Sequence, residues 1–278
     1  MIGNSGAMTA TTAPGTIEQT LRDRRDAGRK LLVPYVTGGL GDDWLEVVEA
    51  VAAAGADAIE VGLPFSDPVM DGPVIQEASQ RALAGGATPA GILSALGRVD
   101  VDVPLVVMTY YNIVFRAGHH RFARSLAEQR VSGAIVPDLP LVELDEWEEA
   151  AGQAGVETIL LVAPNTPDAT IAEICRRSRG WVYGVAVMGV TGERASLAST
   201  AAVLGRRLKA ATDKPVLLGV GVGTPAQAAE AAADAAGVIV GSALVRRLLE
   251  GAGPDGAAEF VAELRAGLDG EVTLSEGG

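Results

Sequence analysis

Short apolar segments alternate with longer amphipathic segments along almost the whole chain. The apolar segments are rich in Val, Ile and Leu and have the length of buried strands. They occupy residues 31–37, 58–64, 104–111, 133–138, 157–164, 181–187, 215–222 and 237–243. Between them, apolar residues recur at the three- and four-residue spacing of helices. The pattern therefore predicts eight strand–helix units.

Eight consecutive strand–helix units over about 250 residues are typical of a closed (β/α)8 barrel, the TIM barrel. A doubly wound open sheet is the alternative, but no G-x-G-x-x-G follows the first strand segment and nothing divides the chain into halves. We expect one α/β domain over residues 16–270, with an extra helix at 16–28 closing the barrel bottom. Residues 1–15 are expected to form a disordered tail and residues 271–278 a frayed C-terminus.

Composition and charge exclude several kinds of partner. The 278 residues carry a formal net charge of -13, which disfavours nucleic acids and anionic membrane surfaces. No apolar segment reaches the roughly 18 residues of a membrane span. The N-terminal residues lack the basic and apolar regions of a secretory signal, so we expect a cytoplasmic protein. Cys175 is the only cysteine, so the chain forms no internal disulfide or cysteine metal cluster.

Few residues are available for amine or metal chemistry. The only lysines, Lys30, Lys209 and Lys214, fall before strand segments or on a helical segment, away from the strand ends where barrel active sites lie. A Schiff-base mechanism therefore lacks its amine. The only histidines, His119 and His120, are adjacent and cannot build a three-histidine metal site. Acid–base chemistry by carboxylates remains.

Glu60 is a carboxylate within an apolar strand segment. Side chains alternate along a strand, so Ile59, Val61 and Leu63 share one face and Glu60 lies on the other, which points into the barrel. Burying a carboxylate is costly. Either a neighbouring hydroxyl or backbone group satisfies it, or it keeps a raised pKa for proton transfer. We favour proton transfer, because buried glutamates are otherwise rare.

Asp71 follows in a loop with three prolines that is long enough to fold back over the barrel mouth. The segment from Pro73 onward has a helical pattern, so Asp71 is either a helix cap or a second carboxylate of the site. Asp67, within Ser-Asp-Pro, is typical of a turn.

Glycines and a serine mark the ends of the last strand segments. They are Gly219, Gly221, Gly223, Gly241 and Ser242, with Thr191 and Gly192 after the sixth segment. Glycine amides and helix N-termini bind anions, and this part of a barrel often holds a phosphate. We therefore expect a phosphate site here. The alternative is that the glycines only relieve crowding at the strand ends.

Several motifs resemble those of the tryptophan synthase α-subunit family, over nearly the whole chain. The most specific is EVGLPFSDP at residues 60–68, followed by MDGP at 70–73. Others occur in the family's order: PYVTGG (34–39), MTYYNIVF (108–115), VPDLP (136–140), GVTG (189–192), GVGV (219–222) and GSALV (241–245).

The resemblance implies a carbon–carbon lyase of tryptophan biosynthesis that cleaves indole-3-glycerol phosphate to indole and glyceraldehyde 3-phosphate without metal or Schiff base. It implies that Glu60 is the general acid and base. Asp71 would hold the indole N–H and stabilise positive charge on the ring, which overrides the helix-cap alternative. The resemblance assigns Tyr35 and Tyr110 to the indole pocket, Thr191 to a loop that closes over substrate, and Gly192, Gly221, Gly241 and Ser242 to the phosphate.

The resemblance also implies a partner. Asp67 and its loop resemble the surface that meets a β subunit in an α2β2 assembly. No cofactor is expected in this chain, whereas the β subunit would carry pyridoxal phosphate. One alternative is a free-standing indole-3-glycerol phosphate lyase that acts without a β subunit. Another is a non-catalytic barrel that only scaffolds a partner, which the presence of both Glu60 and Asp71 disfavours.

Overall fold

The computed structural model describes residues 15–185 and 194–270. Within them, parallel strands form a closed eight-stranded barrel in which each strand pairs with its neighbours in sequence and the last pairs with the first. The strands are β1 (Leu31–Thr37), β2 (Ile59–Gly62), β3 (Leu105–Met108), β4 (Val131–Ile135), β5 (Glu157–Val162), β6 (Val182–Val185), β7 (Val216–Gly219) and β8 (Gly237–Val240). The predicted (β/α)8 barrel is confirmed.

Helices surround the barrel and connect its strands. They are α1 (Thr16–Asp26), α2 (Trp44–Ala53), α3 (Pro73–Ala84), α4 (Pro89–Leu96), α5 (Tyr111–Ala117), α6 (His119–Glu128), α7 (Asp145–Ala154), α8 (Asp168–Arg177), α9 (Arg194–Ala211), α10 (Pro225–Ala232), α11 (Ser242–Leu249) and α12 (Gly253–Leu268). A short 3-10 helix, Leu141–Glu143, precedes α7. In the described ranges, none of these helices has both the length and the apolar character needed to cross a membrane.

Two layers of apolar side chains hold the barrel together. Val33, Ala58, Val106 and other inward-facing residues fill the barrel interior. Their sequence neighbours on the opposite strand faces pack under the helices, as with Ile59 and Val61 of β2. This is the two-residue alternation expected of strands, and it confirms the predicted orientation of β2.

Helix α1 closes the barrel bottom, as predicted. Ile17 and Leu21 are fully buried and join the interior cluster. The buried carboxylate of Glu157, at the start of β5, accepts hydrogen bonds from the first amides of α1: Ile17 N–H at 2.6 Å and Glu18 N–H at 3.1 Å. A side chain 140 positions away thus satisfies amides that have no partner within the helix.

Several strands end earlier than the apolar pattern predicts. The segments 58–64 and 104–111 contain β2 and β3, which end at Gly62 and Met108. Leu63 and Tyr110 continue the apolar pattern because they are buried, although they lie in loops. The apolar pattern reports burial rather than strand pairing. Residues 1–14 and 271–278 lie outside the described ranges, so disorder at the two ends stays a prediction.

Candidate active site

A cavity of about 280 Å³ opens at the carboxyl ends of the strands. Six of the residues predicted to form the site line it: Tyr35, Glu60, Asp71, Gly221, Gly241 and Ser242. Such a cavity is large enough for part of a small ligand, and this end of a barrel is where active sites lie. The structure therefore brings the carboxylates and the predicted phosphate donors to one place.

Glu60 lies in the middle of β2, between Tyr35 of β1 and Val106 of β3 in the strand register. Only 1% of its surface is exposed. Among the described residues, its Oε2 atom has no hydrogen-bond partner. Burial, together with the nearby Asp71 charge, raises the pKa of Glu60 to about 8. Both protonation states of Glu60 are therefore accessible near neutral pH, as a group that gives and takes a proton requires.

Asp71 reaches the cavity from the loop between β2 and α3. It does not cap α3, because Gly72 is the N-cap residue and no side chain caps that helix. Instead, the Gln76 side-chain amide donates to the Asp71 carbonyl oxygen at 2.8 Å, which ties the loop to the first turn of α3. Burial raises the pKa of Asp71, and the Tyr110 hydroxyl partly offsets that rise. Asp71 is thus a second carboxylate that faces the same cavity, and unlike Glu60 it is only half-buried.

Tyr110 contacts this loop through both its ring and its hydroxyl group. Its ring stacks on Phe65 at a centroid distance of 4.9 Å, and its hydroxyl accepts the Met70 N–H at 3.0 Å. The same hydroxyl interacts with the Asp71 carboxylate. Tyr110 is buried but is not among the residues that line the cavity. Its contact with indole stays a prediction, while its contacts with the loop are direct.

Two tyrosines border the carboxylates. Burial, reinforced by the charges of Asp71 and Glu60, raises the pKa of Tyr35. Tyr183 of β6 also lines the cavity, and burial and the Glu60 charge raise its pKa. We did not predict Tyr183 as a site residue. The sequence did contain a signal for it. Alternation along residues 182–185 places Tyr183 on the inward face of β6, just as alternation along β2 places Glu60 on the inward face of that strand.

The glycine that ends β7 and the two glycines that follow it have different roles. A Cβ atom at Gly219 would lie 2.7 Å from the Tyr183 ring, so this glycine makes room for the tyrosine. The Gly223 N–H donates to the Gln227 side chain at 2.9 Å and is already satisfied. Gly221 has φ +72° and lines the cavity. Gly219 lines the cavity as well, so Gly219 and Gly221 can both contact a ligand, whereas Gly223 is not part of the lining.

The N-terminus of α11 supplies further anion donors. Gly241 is its N-cap residue and Ser242 its first residue, and both line the cavity. The first amides of a helix have no partner within the helix and carry a partial positive charge. Thr191 and Gly192 lie outside the described residues, so their predicted contacts stay predictions. Within the described ranges, no group of three or more His, Cys, Asp or Glu side chains is placed to hold a metal ion.

Comparison with known proteins identifies the family. The family model described as tryptophan synthase alpha chain matches residues 21–269. The chain belongs to the tryptophan synthase alpha chain family. The tryptophan synthase alpha chain of Streptomyces coelicolor is 44% identical over 269 residues, which cover 92% of this chain and 97% of the relative. That of Thermobifida fusca is 42% identical over 262 residues, covering 91% and 97%.

Solved structures of the family have the same fold. A structure of Mycobacterium tuberculosis tryptophan synthase matches with a TM-score of 0.85 and 39% identity, covering 92% of this chain and 99% of that one. The tryptophan synthase subunit alpha of Legionella pneumophila matches with a TM-score of 0.83 and 29% identity, covering 93% and 100%. The match to the tryptophan synthase alpha chain family therefore covers the whole barrel, including β2 and the loop that carries Asp71.

Proposed function

We propose that this chain cleaves indole-3-glycerol phosphate to indole and glyceraldehyde 3-phosphate. The observation that carries the proposal is the pair of Glu60 and Asp71 in one cavity, with the pKa of Glu60 raised to about 8. Family membership supports the same reaction over a non-catalytic role. We further propose that the protein acts in tryptophan biosynthesis in the cytoplasm.

Glu60 gives and then takes one proton in the proposed reaction. Its protonated form adds a proton to C3 of the indole ring, which leaves positive charge on the ring nitrogen. The carboxylate then removes the proton from the hydroxyl next to the ring. The electrons of that O–H bond form the carbonyl of glyceraldehyde 3-phosphate, and those of the broken C–C bond restore the aromatic indole. The proton balance is zero, so one carboxyl group with a pKa near the working pH suffices.

Asp71 stabilises the charge that develops on the ring. As a carboxylate it accepts the indole N–H and offsets the positive charge on the nitrogen. It lines the same cavity from the loop beside α3, whereas Glu60 lines it from β2 in the barrel interior. Asp71 thereby acts on the ring nitrogen while Glu60 acts on carbon and oxygen.

The remaining cavity residues position the two ends of the substrate. Tyr35 and Tyr183 offer aromatic surface for indole, and Ile239 of β8 adds an apolar side chain. Gly221 and the N-terminus of α11 offer amides for the phosphate. No cofactor is proposed for this chain.

A β subunit is the proposed partner, in an α2β2 assembly in which that subunit carries pyridoxal phosphate. Large apolar side chains are exposed on the segments that follow β2, β3 and β4: Val69 (80%), Met70 (57%), Phe115 (66%) and Val142 (84%). These strands are neighbours in the barrel, so the exposed side chains gather at one side of its mouth. Exposed apolar clusters of this kind mark protein interfaces. Asp67 is exposed in the same loop as Met70.

Indole release from indole-3-glycerol phosphate tests the proposed function. We expect the purified chain to release indole slowly and a tryptophan synthase β subunit to accelerate it strongly, because the partner surface includes the loop that carries Asp71. Fast release that the β subunit does not change would instead identify a free-standing lyase. No release in either condition would contradict the proposed reaction.

Val142→Asp tests the partner surface. We expect this change to weaken binding of the β subunit at least about 10-fold, because a charge replaces an apolar side chain in the interface. Val203→Asp on α9 is the matched control, since Val203 is also exposed but its helix follows β6, which pairs with none of β2, β3 and β4. Calorimetric titration measures both. Equal affinities for the two variants would place the interface elsewhere.

A further inference from the structure

A second cavity, of about 530 Å³, lies at the bottom of the barrel, opposite the candidate active site. It is bordered by the end of α1, the residues before β1, the end of α9 and the residues before β7. Its charged lining residues are Arg25, Arg29, Lys30, Lys209, Lys214 and Asp213. All three lysines of the chain are among them, in a protein whose net charge is -13. Positive charge is thus concentrated in one cavity of an acidic protein.

Two of the lysines also neutralise helix ends. The Lys30 ammonium donates to the carbonyl oxygens of Ala232 at 2.6 Å and Ala235 at 2.9 Å. The Lys214 ammonium donates to carbonyl oxygens at the end of α8, including Cys175 at 2.9 Å. A helix C-terminus carries about half a unit of negative charge. Each of these two lysines therefore keeps part of its positive charge uncompensated.

The third lysine differs from the other two in its contacts. Lys209 is exposed in the last turn of α9, and among the described residues no hydrogen bond or ion pair engages its ammonium group. Asp213, the one carboxylate in the lining, is bound by Arg22, which lies outside the cavity lining. Within the described residues, no ion pair joins Asp213 to Lys209.

The two arginines of the lining both contact a carboxylate. Arg25 is paired with Asp26 at 2.8 Å, and Arg29 with the buried Asp57 at 2.8 Å. Asp26 balances Arg25, whereas Asp57 is shared with Arg24 and Arg265, so the surplus positive charge comes from Arg29 and the lysines. Burial and repulsion from Lys209 lower the pKa of Lys30, whereas Asp234 has the opposite, smaller effect.

We propose that this cavity binds a small, multiply charged phosphate compound, with Lys209 as its main contact and Lys30 and Lys214 as supporting charges. Ammonium groups are compact point charges that bind phosphate. The volume suits a metabolite rather than a single ion. Since the cavity lies at the opposite end of the barrel, this site is distinct from the candidate active site.

Lysine-selective NMR reports on this cavity alone. The chain is labelled with 13C at the lysine Cε positions, which gives one signal from each of three lysines, all in the cavity. Inorganic pyrophosphate is the probe, with ionic strength held constant by sodium chloride. We expect saturable shifts that are largest for Lys209. Shifts that rise without saturation, or that chloride reproduces, would overturn the proposal.

Variants separate this site from general electrostatics and from the upper cavity. Lys209→Gln is expected to lower the affinity for pyrophosphate, measured from the shifts of Lys30 and Lys214, about 10-fold. It should leave indole release unchanged. Arg98→Gln, which removes an exposed cation outside the cavity, should not affect them. Ser242→Asp, which places a negative charge in the upper cavity, should leave the lysine shifts intact. Equal pyrophosphate affinity of wild type and Lys209→Gln would refute the site.

Discussion

Glu60→Gln is expected to lower the rate of indole release at least about 1,000-fold, because general acid–base catalysis by one group contributes roughly 100- to 10,000-fold and this carboxyl acts twice. Gln is almost the same size as Glu but neither gives nor takes a proton at these steps. The Glu60 Oε2 atom has no hydrogen-bond partner among the described residues, so the change removes no internal bond at that atom. The barrel and the affinity for the β subunit should both remain.

Glu157→Gln is the matched control for this variant. It makes the same chemical change to a buried carboxyl of the same barrel, but at the bottom, where Glu157 binds the first amides of α1. We expect it to affect stability and to leave the rate of indole release close to that of the wild type. Rates are measured with saturating β subunit, well below the melting temperature of each variant. A Glu60→Gln protein that retains near-normal rates would show that the proton is moved by another group.

The same substitution should change how stability depends on pH. The pKa of Glu60 is about 8 in the folded protein and about 4.5 in the unfolded chain, so between these pH values the folded state holds a proton that the unfolded chain releases. Hence the free energy of unfolding of the wild type falls as pH rises through this window. Gln is neutral in both states and lacks this dependence. The stabilisation by Glu60→Gln should be absent near pH 4 and reach on the order of 1–4 kcal/mol near pH 8.5.

Urea unfolding at the two pH values measures this difference. A variant whose advantage over wild type is the same at both would show that Glu60 is ionised in the folded protein. Such a result would also weaken the assignment of Glu60 as the proton donor. Removing a buried catalytic charge commonly raises the stability of an enzyme and lowers its activity.

Local periodicity was sufficient to predict the barrel and the position of its central carboxylate. The alternation of apolar residues around Glu60 predicts its inward orientation, because strand geometry allows only two faces. The helical pattern from Pro73 predicts the start of α3. Neither inference needs a contact between distant parts of the chain. Periodicity left two roles open for Asp71, and the resemblance of the motifs decided between them; the fold places Gly72, not Asp71, at the cap position.

Contacts between distant segments were not predictable from the pattern. Tyr110 supports the loop through Phe65 and Met70, which lie 45 and 40 positions earlier. Glu157 binds the first turn of α1 from 140 positions away. In each case a polar atom finds its partner only after the barrel has closed. Sequence motifs locate such residues, but tertiary packing assigns their roles.

Another polar contact of this kind joins the bottom of the barrel to the strand that carries Glu60. Asp57 is fully buried just before β2. Its carboxylate accepts the Leu32 N–H at 2.8 Å and binds Arg24 at 2.9 Å, Arg29 at 2.8 Å and Arg265 at 3.2 Å. One side chain thus connects α1, β1 and α12.

Asp57→Ala is expected to destabilise the protein by about 3–5 kcal/mol, because it leaves a buried amide unsatisfied and clustered arginines without their shared carboxylate. For a chain of this size the melting temperature should fall by roughly 6–20 °C. Asp100→Ala is the control, since within residues 15–185 and 194–270 Asp100 makes only an exposed 3.9 Å ion pair with Arg130, and this change should cost less than about 0.5 kcal/mol. Thermal unfolding of both variants measures the difference. Equal melting temperatures would mean that water or the remaining acceptors satisfy the arginines and the Leu32 amide, and that the contacts of Asp57 do not hold the barrel bottom together.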